Sequence, residues 1–150
     1  MSEPYWEPLA AAPLSKSGQE IVSYISSVTG TGTGITTTGN GDALFNFPAA
    51  TFEAVLHYFE MSMMVQDQGG AAIFEIRLHD GAAPGPLVWA GALRTATANP
   101  GNPQVIKVPF TPSAGSHTYQ VRWRDVTTGR TYNFVGGSGG WPTVARIVRA

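Results

Sequence analysis

The chain has 150 residues, of which 13% are charged, and nine Lys and Arg against ten Asp and Glu give a net charge of -1. Average soluble domains carry about 25% charged residues. Proteins that bind nucleic acid by neutralising its phosphates need an excess of basic residues, so this class of protein is excluded. The absence of cysteine excludes a disulfide scaffold and thiol redox chemistry. Gly and Pro supply about a fifth of the chain, against roughly 12% on average, which excludes a coiled coil or long-helix protein.

The length suits one domain, which we place at residues 19–150 after an N-terminal arm at residues 1–18. The sequence has no run of 18 apolar residues, so it predicts no membrane span. Glu3 and Glu7 stand where a secretory signal has basic residues, so we expect the protein to be made in the cytoplasm.

The arm is predicted to be extended, because three prolines within it exclude a regular helix. It nevertheless carries apolar side chains that are costly to leave in water. We therefore predict that the arm docks on its own domain or on a neighbouring subunit, with Tyr5, Trp6, Pro8 and Leu9 as the contact residues. A frayed tail is the alternative interpretation.

The first segments of the domain have mixed signals. Residues 21–25 are predicted to be extended or to form one short turn, since the following Gly- and Thr-rich run contradicts a long helix. Residues 35–38 have β-branched strand chemistry, and residues 40–42 are a turn signal.

The remaining segments favour strands. Residues 53–66 alternate between apolar and polar side chains, which favours a strand over the alternative of a helix. Strands are also predicted at residues 71–79, 87–93, 104–110, 117–124, 131–135 and 143–149. The side chains that share a face within their strands are Val55, Phe59, Met61, Met63 and Val65; Phe74, Ile76 and Leu78; Leu87, Trp89 and Gly91; Ile106, Val108 and Phe110; and Tyr119, Val121 and Trp123.

The opposite face of the 71–79 strand is predicted to carry Glu75, Arg77 and His79. Residues 125–129 are predicted to be a hairpin connection. About eight strands, with turns every 8–15 residues, predict an all-β antiparallel sandwich or barrel.

The motifs that could carry chemistry are weak. Residues 136–140 match a nucleophile elbow by letter, but a strand rather than a helix is predicted to follow. The glycines in residues 30–34 lack the Lys-Ser/Thr of a phosphate-binding loop. His57, His79 and His117 lie on separate predicted strands without metal-ligand spacing. We therefore expect no catalytic residue, no metal and no cofactor.

Two surface features have more than one interpretation. Residues 116–150 hold five arginines and one acid, which indicates a phosphate-binding stripe, pairing across a subunit contact, or a plain polar sheet face. These arginines are Arg122, Arg124, Arg130, Arg146 and Arg149. Trp141 is the best candidate for an exposed aromatic side chain that contacts a ligand, and a role as a loop anchor is the alternative. Trp123, by contrast, shares the predicted inward face of its strand with Tyr119 and Val121.

Residues 53–150 resemble the jelly-roll head modules of tailed-phage virion proteins. The resemblance rests on the segments IFEIRLHDGAAPG, LVWAGAL and KVPFTPSAGSHTYQVRWRD, of which GSHTY followed by Val121 and Trp123 is the most distinctive. The pattern is also similar to tumour-necrosis-factor-like jelly rolls, which commonly form trimers. The segment EPYWEPLAAAP looks like the start of short minor structural proteins of actinobacterial phages.

The resemblance implies an antiparallel jelly-roll of about eight strands with an extended N-terminal arm, and a role in the virion. The first hypothesis is a non-enzymatic minor tail or capsid decoration protein. In this hypothesis the protein associates with copies of itself, and the resemblance implies that it forms a trimer. It docks on other virion proteins through its arm. The second is a carbohydrate-binding module that recognises a host surface glycan through Trp141 and the nearby loop at residues 80–86. The sequence offers no constellation for a third hypothesis, a hydrolase.

Overall fold

The computed structural model describes residues 17–26, 30–31, 41–67, 73–82, 85–94, 102–126, 132–136 and 143–150. Within these residues the chain forms twelve β-strands and no helix, and so no helix able to cross a membrane. The strands are β1 Glu20–Ser26, β2 Gly30–Thr31, β3 Asp42–Asn46, β4 Ala50–Phe52, β5 His57–Asp67, β6 Ile73–Asp80, β7 Leu87–Arg94, β8 Asn102–Phe110, β9 Gly115–His117, β10 Tyr119–Asp125, β11 Tyr132–Gly136 and β12 Thr143–Arg149.

Eight of these strands form two antiparallel sheets. The first sheet has the order β1-β12-β5-β8, and the second has the order β3-β10-β6-β7. When the eight strands are counted along the chain, the sheets run 1-8-3-6 and 2-7-4-5, which is the strand order of a jelly roll with two Greek keys. The short strands β11 and β2 extend the first sheet along the far end of β5, and β4 pairs with β9 in a separate ribbon. The predicted antiparallel jelly-roll sandwich is therefore confirmed.

The core lies between the two sheets and contains most side chains of the predicted inward faces, together with Val22, Phe45, Phe47 and Phe52, which the sequence did not single out. Val55, predicted on the face of Phe59, precedes β5 and is only partly buried. Residues 57–67 form a strand, so the helical alternative for this segment is wrong. The buried residues of the central strands are Phe59, Met61, Met63, Val65, Phe74, Ile76, Leu78, Val121, Trp123, Ala145 and Ile147. Full burial of one such large side chain contributes about 1.5–3 kcal/mol, so alternate burial fixes which face of each strand points inward.

One stretch departs from the predicted alternation. Leu78 pairs with Trp89, but His79 pairs with Leu87, so β7 carries an extra residue in a β-bulge. Leu87 was predicted to share the face of Trp89, and instead it is 47% exposed. His79 was predicted on the face opposite the core and is nevertheless buried, because the following loop covers it and places the Gly85 carbonyl oxygen 2.9 Å from Nδ1.

The predicted hairpin at residues 125–129 is wrong. Strand β10 belongs to the second sheet, where β3 and β6 occupy its two edges. Strand β11 pairs with β5 and β2 in the first sheet. The connection therefore crosses between the sheets, because β10 has no free edge along which β11 could pair.

The described chain begins at the edge of the first sheet. Residues 21–25 lie within strand β1 and are extended, not a helical turn. The backbone N–H of Gly18 donates to the Arg149 carbonyl at 2.7 Å, and the Arg149 N–H donates to the Gln19 carbonyl at 2.9 Å. Residues 17–19 are thereby attached to β12, while the arm before Ser17 lies outside the described residues.

Candidate functional site

The outer face of the first sheet, here called the open face, carries the side chains of β1, β12, β5 and β8 that point away from the core. Cross-strand pairing arranges these side chains in rows. The apolar row contains Ile25, Val144, Ser62 and Val105; the charged row contains Ser23, Arg146, Glu60 and Lys107; and the third row contains Glu20, Val148, Tyr58 and Pro109.

The charged row is organised around one carboxylate. Lys107 Nζ lies 2.8 Å from Glu60 Oε1, and Arg146 Nη2 lies 2.7 Å from Glu60 Oε2. The hydrogen bond from Lys107 is the largest cause that lowers the pKa of Glu60 below its usual value; partial burial opposes it, and Arg146 lowers it further. The Lys107 ammonium also lies 4.7 Å from the ring centroid of Tyr58. Two cations therefore face one anion, and the row is net positive at neutral pH.

The apolar row is unusual for a face that points toward water. Ile25 is 66% exposed and Val105 is 77% exposed; between them lie Val144, which is partly buried, and the exposed Ser62. A groove of about 360 Å³ runs here, bordered by the apolar row and the charged row. Antiparallel sheets with one solvated face normally carry polar residues at such positions. Contiguous exposed apolar patches are typical of surfaces that contact another macromolecule.

A second groove of about 280 Å³ continues the first one toward the beginning of the described chain. It shares Glu60, Lys107 and Arg146 with the first groove, and Ser17 and Gly18 form part of its wall. The arm therefore joins the domain at the border of the open face.

Sequence reasoning did not single out Ile25, Val144 and Val105. A signal was present in β8, whose outward positions are Pro103, Val105, Lys107 and Pro109, with a charge at one of the four. The row itself depends on the register of four strands that are far apart in the sequence, so no local pattern could have revealed it.

The arginines of the C-terminal third pair within their own chain. The pairs are Arg124 with Glu75 at 2.9 Å, Arg146 with Glu60 at 2.7 Å and Arg149 with Glu53 at 3.0 Å. Arg122 donates to Gln120 Oε1 at 2.7 Å and to the Gly41 carbonyl, and Arg130 lies outside the described residues. The interpretation as pairs across a subunit contact is wrong for these three ion pairs, because the acidic partners are in the same chain.

The structure brings two histidines together that the sequence left on separate strands. The rings of His57 and His117 lie 5.4 and 5.9 Å from the Phe52 ring, between centroids, at one end of the sandwich. His57 Nδ1 lies 2.8 Å from the Val55 carbonyl oxygen. Across the part of the chain that the structure describes, no group of three or more His, Asp or Glu side chains could hold a metal ion.

His117 also lies between a carboxylate and a serine. Its Nδ1 is 2.7 Å from Asp80 Oδ2, and its Nε2 is 2.9 Å from the Ser113 carbonyl oxygen and 3.3 Å from Ser113 Oγ. A carbonyl oxygen can only accept, so Nε2 donates a proton at its shortest contact. A base that activates a serine must instead accept the hydroxyl proton. The arrangement therefore fits a brace between loops rather than a nucleophile and its base.

The predicted contact residues Tyr5, Trp6, Pro8, Leu9 and Trp141 all lie outside the described residues. Their roles remain predictions. Trp123, by contrast, is buried, as the alternation of residues in its strand predicted.

No family model and no curated protein matches the chain. A carbohydrate-binding module from Cellvibrio mixtus lichenase 5A, solved with cellotriose, is 17% identical with a TM-score of 0.48, over 88% of this chain and 99% of its own. The VP2 subviral particle of infectious bursal disease virus is 12% identical with a TM-score of 0.46; the match covers 99% of this chain and 42% of the viral one. A xylan-binding domain from Paenibacillus barcinonensis Xyn10C is 14% identical with a TM-score of 0.36, over 91% and 99% of the two chains.

These similarities are similarities of fold and carry no argument about function. The strand order and the open face define the class: this chain is an antiparallel β-sandwich of the jelly-roll type with one extensive, partly apolar sheet face.

Proposed function

We propose that this protein is a non-enzymatic structural component of a phage particle, a minor tail or capsid decoration protein that associates with copies of itself. The observation that carries the proposal is the apolar row of the open face, in which Ile25 and Val105 are largely exposed. Covering apolar surface stabilises a contact by about 25 cal/mol per Å². The phage assignment is supported by the resemblance of residues 53–150 to virion jelly-roll modules, and the expected trimer by the tumour-necrosis-factor-like pattern.

The N-terminal arm ties the subunit into the virion in this proposal. Tyr5, Trp6, Pro8 and Leu9 are its contact residues, and the arm joins the domain beside the open face through Ser17. Assembly then takes place in the cytoplasm of the infected host.

The described surface favours assembly over sugar binding. Stacking on a sugar requires an open aromatic face, and the Tyr58 ring on the open face is instead in contact with the Lys107 ammonium. Trp89 and Trp123 pack into or against the core. A glycan site would therefore depend on Trp141, which lies outside the described residues.

The oligomeric mass in solution tests self-association. Light scattering of the full chain is expected to give three chain masses, and Val105→Lys is expected to reduce it to one by placing a charge in the apolar row. Val126→Lys is the matched control, because Val126 is also exposed, at 47%, but follows β10 of the second sheet. A wild-type monomer, or equal masses for all three proteins, would contradict the proposal.

Mass spectrometry of purified particles from the encoding phage tests the structural role. We expect peptides of the chain in the particles, and we expect a chain without residues 1–12 to fold but to be missing from them. Absence of the full chain from particles contradicts the structural role, and normal incorporation of the truncated chain contradicts the anchor. Binding of the full chain to a glycan array, abolished by Trp141→Ala, would instead support the carbohydrate-binding hypothesis.

A further inference from the structure

We propose that the arm of one copy lies on the open face of a neighbouring copy, so that arm and open face are the two halves of the self-association contact. This inference rests on the proposed self-association and names the surface that receives the arm. It commits to residues 1–16 of a second copy of this chain as the occupant of the groove between the apolar row and the charged row.

The two halves are complementary in charge. On the open face, Lys107 and Arg146 share one carboxylate, that of Glu60. The arm carries the carboxylates Glu3 and Glu7 within its first nine residues and no basic side chain there. The two carboxylates of the arm are therefore attracted to the charged row, where two cations share the single carboxylate of Glu60, and opposite potentials favour the correct partner and register.

The two halves are also complementary in polarity. The face exposes Ile25 and Val105. The arm supplies Tyr5, Trp6 and Leu9. Aromatic side chains of this kind contribute most of the energy in many interfaces when they fill a partly apolar groove.

The position of the arm's attachment and the length of the arm bring a neighbouring copy within its reach. Ser17 lies in the groove beside the third row, near Val148. The apolar row at Val144 is four residues further along β12, about 13 Å at 3.3 Å per residue. A fully extended proline-rich segment spans about 3.1 Å per residue, so the chain length between Leu9 and Ser17 allows a reach of up to about 25 Å, and that between Tyr5 and Ser17 up to about 37 Å. The arm is therefore long enough to extend past the apolar row of its own sheet and reach a neighbouring copy.

An arm that reaches a different surface on the next copy makes a heterologous contact. Such contacts close into a ring when the rotation between copies is a simple fraction of a turn. A trimer formed in this way covers every open face with one arm, and no apolar row remains exposed.

Cysteine cross-linking tests the inference directly, because the natural chain has no cysteine. Leu9→Cys and Val105→Cys are made in separate full-length chains, mixed in equal amounts, allowed to exchange subunits and oxidised. A disulfide-linked band of two chain masses is expected in the mixture, at least tenfold stronger than in a mixture of Leu9→Cys with Val126→Cys. Val126 is the matched control because it is an exposed valine outside the open face.

The double variant Leu9→Cys, Val105→Cys distinguishes the two possible origins of the arm. Oxidised while oligomeric, it is expected to give a ladder of linked chains on a denaturing gel. A disulfide closed within one chain would show that the arm covers its own domain and would overturn the inference. An oligomer whose Leu9 and Val105 sites link no better than the control overturns the inference but leaves self-association standing. A full chain that is monomeric overturns both.

Discussion

Gly41 and Gly81 offer a matched pair for testing how closely the second sheet is packed at its edge. Both glycines have left-handed backbone conformations, with φ of +76° and +82°. A Cβ on Gly41 would overlap the backbone carbonyl of Trp123, whereas a Cβ on Gly81 would meet no atom within 4 Å. An alanine at either position therefore has the same backbone strain, and at Gly41 it has a steric overlap in addition.

The expected losses of stability are the sums of these two contributions. A non-glycine residue in the left-handed region costs about 1–2 kcal/mol, and forcing extra volume into a packed site costs a further ~1–3 kcal/mol. Gly81→Ala is therefore expected to lower the free energy of unfolding by about 1–2 kcal/mol, and Gly41→Ala by about 2–5 kcal/mol. Urea denaturation of both variants under identical conditions measures the difference. Equal losses would refute the reasoning, because only the overlap with the Trp123 carbonyl distinguishes the two sites.

Three further predictions concern ionisation and the core. The pairs of Glu60 with Lys107 and Arg146 stabilise the fold above the unfolded carboxyl pKa of about 4.3, and this stabilisation is lost as pH falls through the lowered folded pKa. In Glu60→Gln the urea midpoint should therefore depend less on pH below about pH 5 than in the natural chain. An unchanged pH dependence of the midpoint would contradict this. Burial, and secondly the charge of Asp80, raises the pKa of Tyr119. The neutral phenol therefore stabilises the fold below about pH 10, and this contribution is lost as the pH rises above that value. An alkaline absorbance titration should show Tyr119 ionising only when the protein unfolds, and ionisation in the folded protein would be inconsistent with its burial. Phe59→Ala removes a fully buried ring and should cost about 3–5 kcal/mol, and a urea-measured loss under about 1 kcal/mol would count against a tightly packed core.

Much of the strand content was predictable because each strand buries one face. The alternation in residues 71–79 predicted Phe74, Ile76 and Leu78 inward, and all three are fully buried. The last strand has the predicted bounds, Thr143–Arg149. The prediction that Leu87 shares the face of Trp89 was wrong, because the extra residue in β7 turns Leu87 to the opposite face of the strand. This β-bulge leaves no mark in the hydrophobic pattern of the sequence.

The pairing partners were less predictable than the strands. Strand β1 pairs with β12 at the other end of the chain, and β5 lies between β12 and β8. Local sequence favours hairpins between consecutive strands, but β5 does not pair with β6, and β10 does not pair with β11. The candidate site depends on the distant pairings, since Ile25, Val144 and Val105 form a row only in this register.

The two outer faces of the sandwich differ in a way that bears on which one is used for assembly. On the second sheet, Glu75 is paired with Arg77 at 3.2 Å and with Arg124 at 2.9 Å. In the same sheet, Gln120 donates to Asn46 Oδ1 at 2.8 Å.

Glu75 is already paired with two arginines of its own chain, so covering that face with a partner would desolvate ionic groups that have intrachain partners. The open face of the first sheet has the opposite balance. Its aliphatic side chains gain from being covered, and in its charged row two cations share one carboxylate. A partner that brings apolar side chains therefore gains more from the open face than from the second sheet, and the N-terminal arm carries such side chains in Tyr5, Trp6 and Leu9.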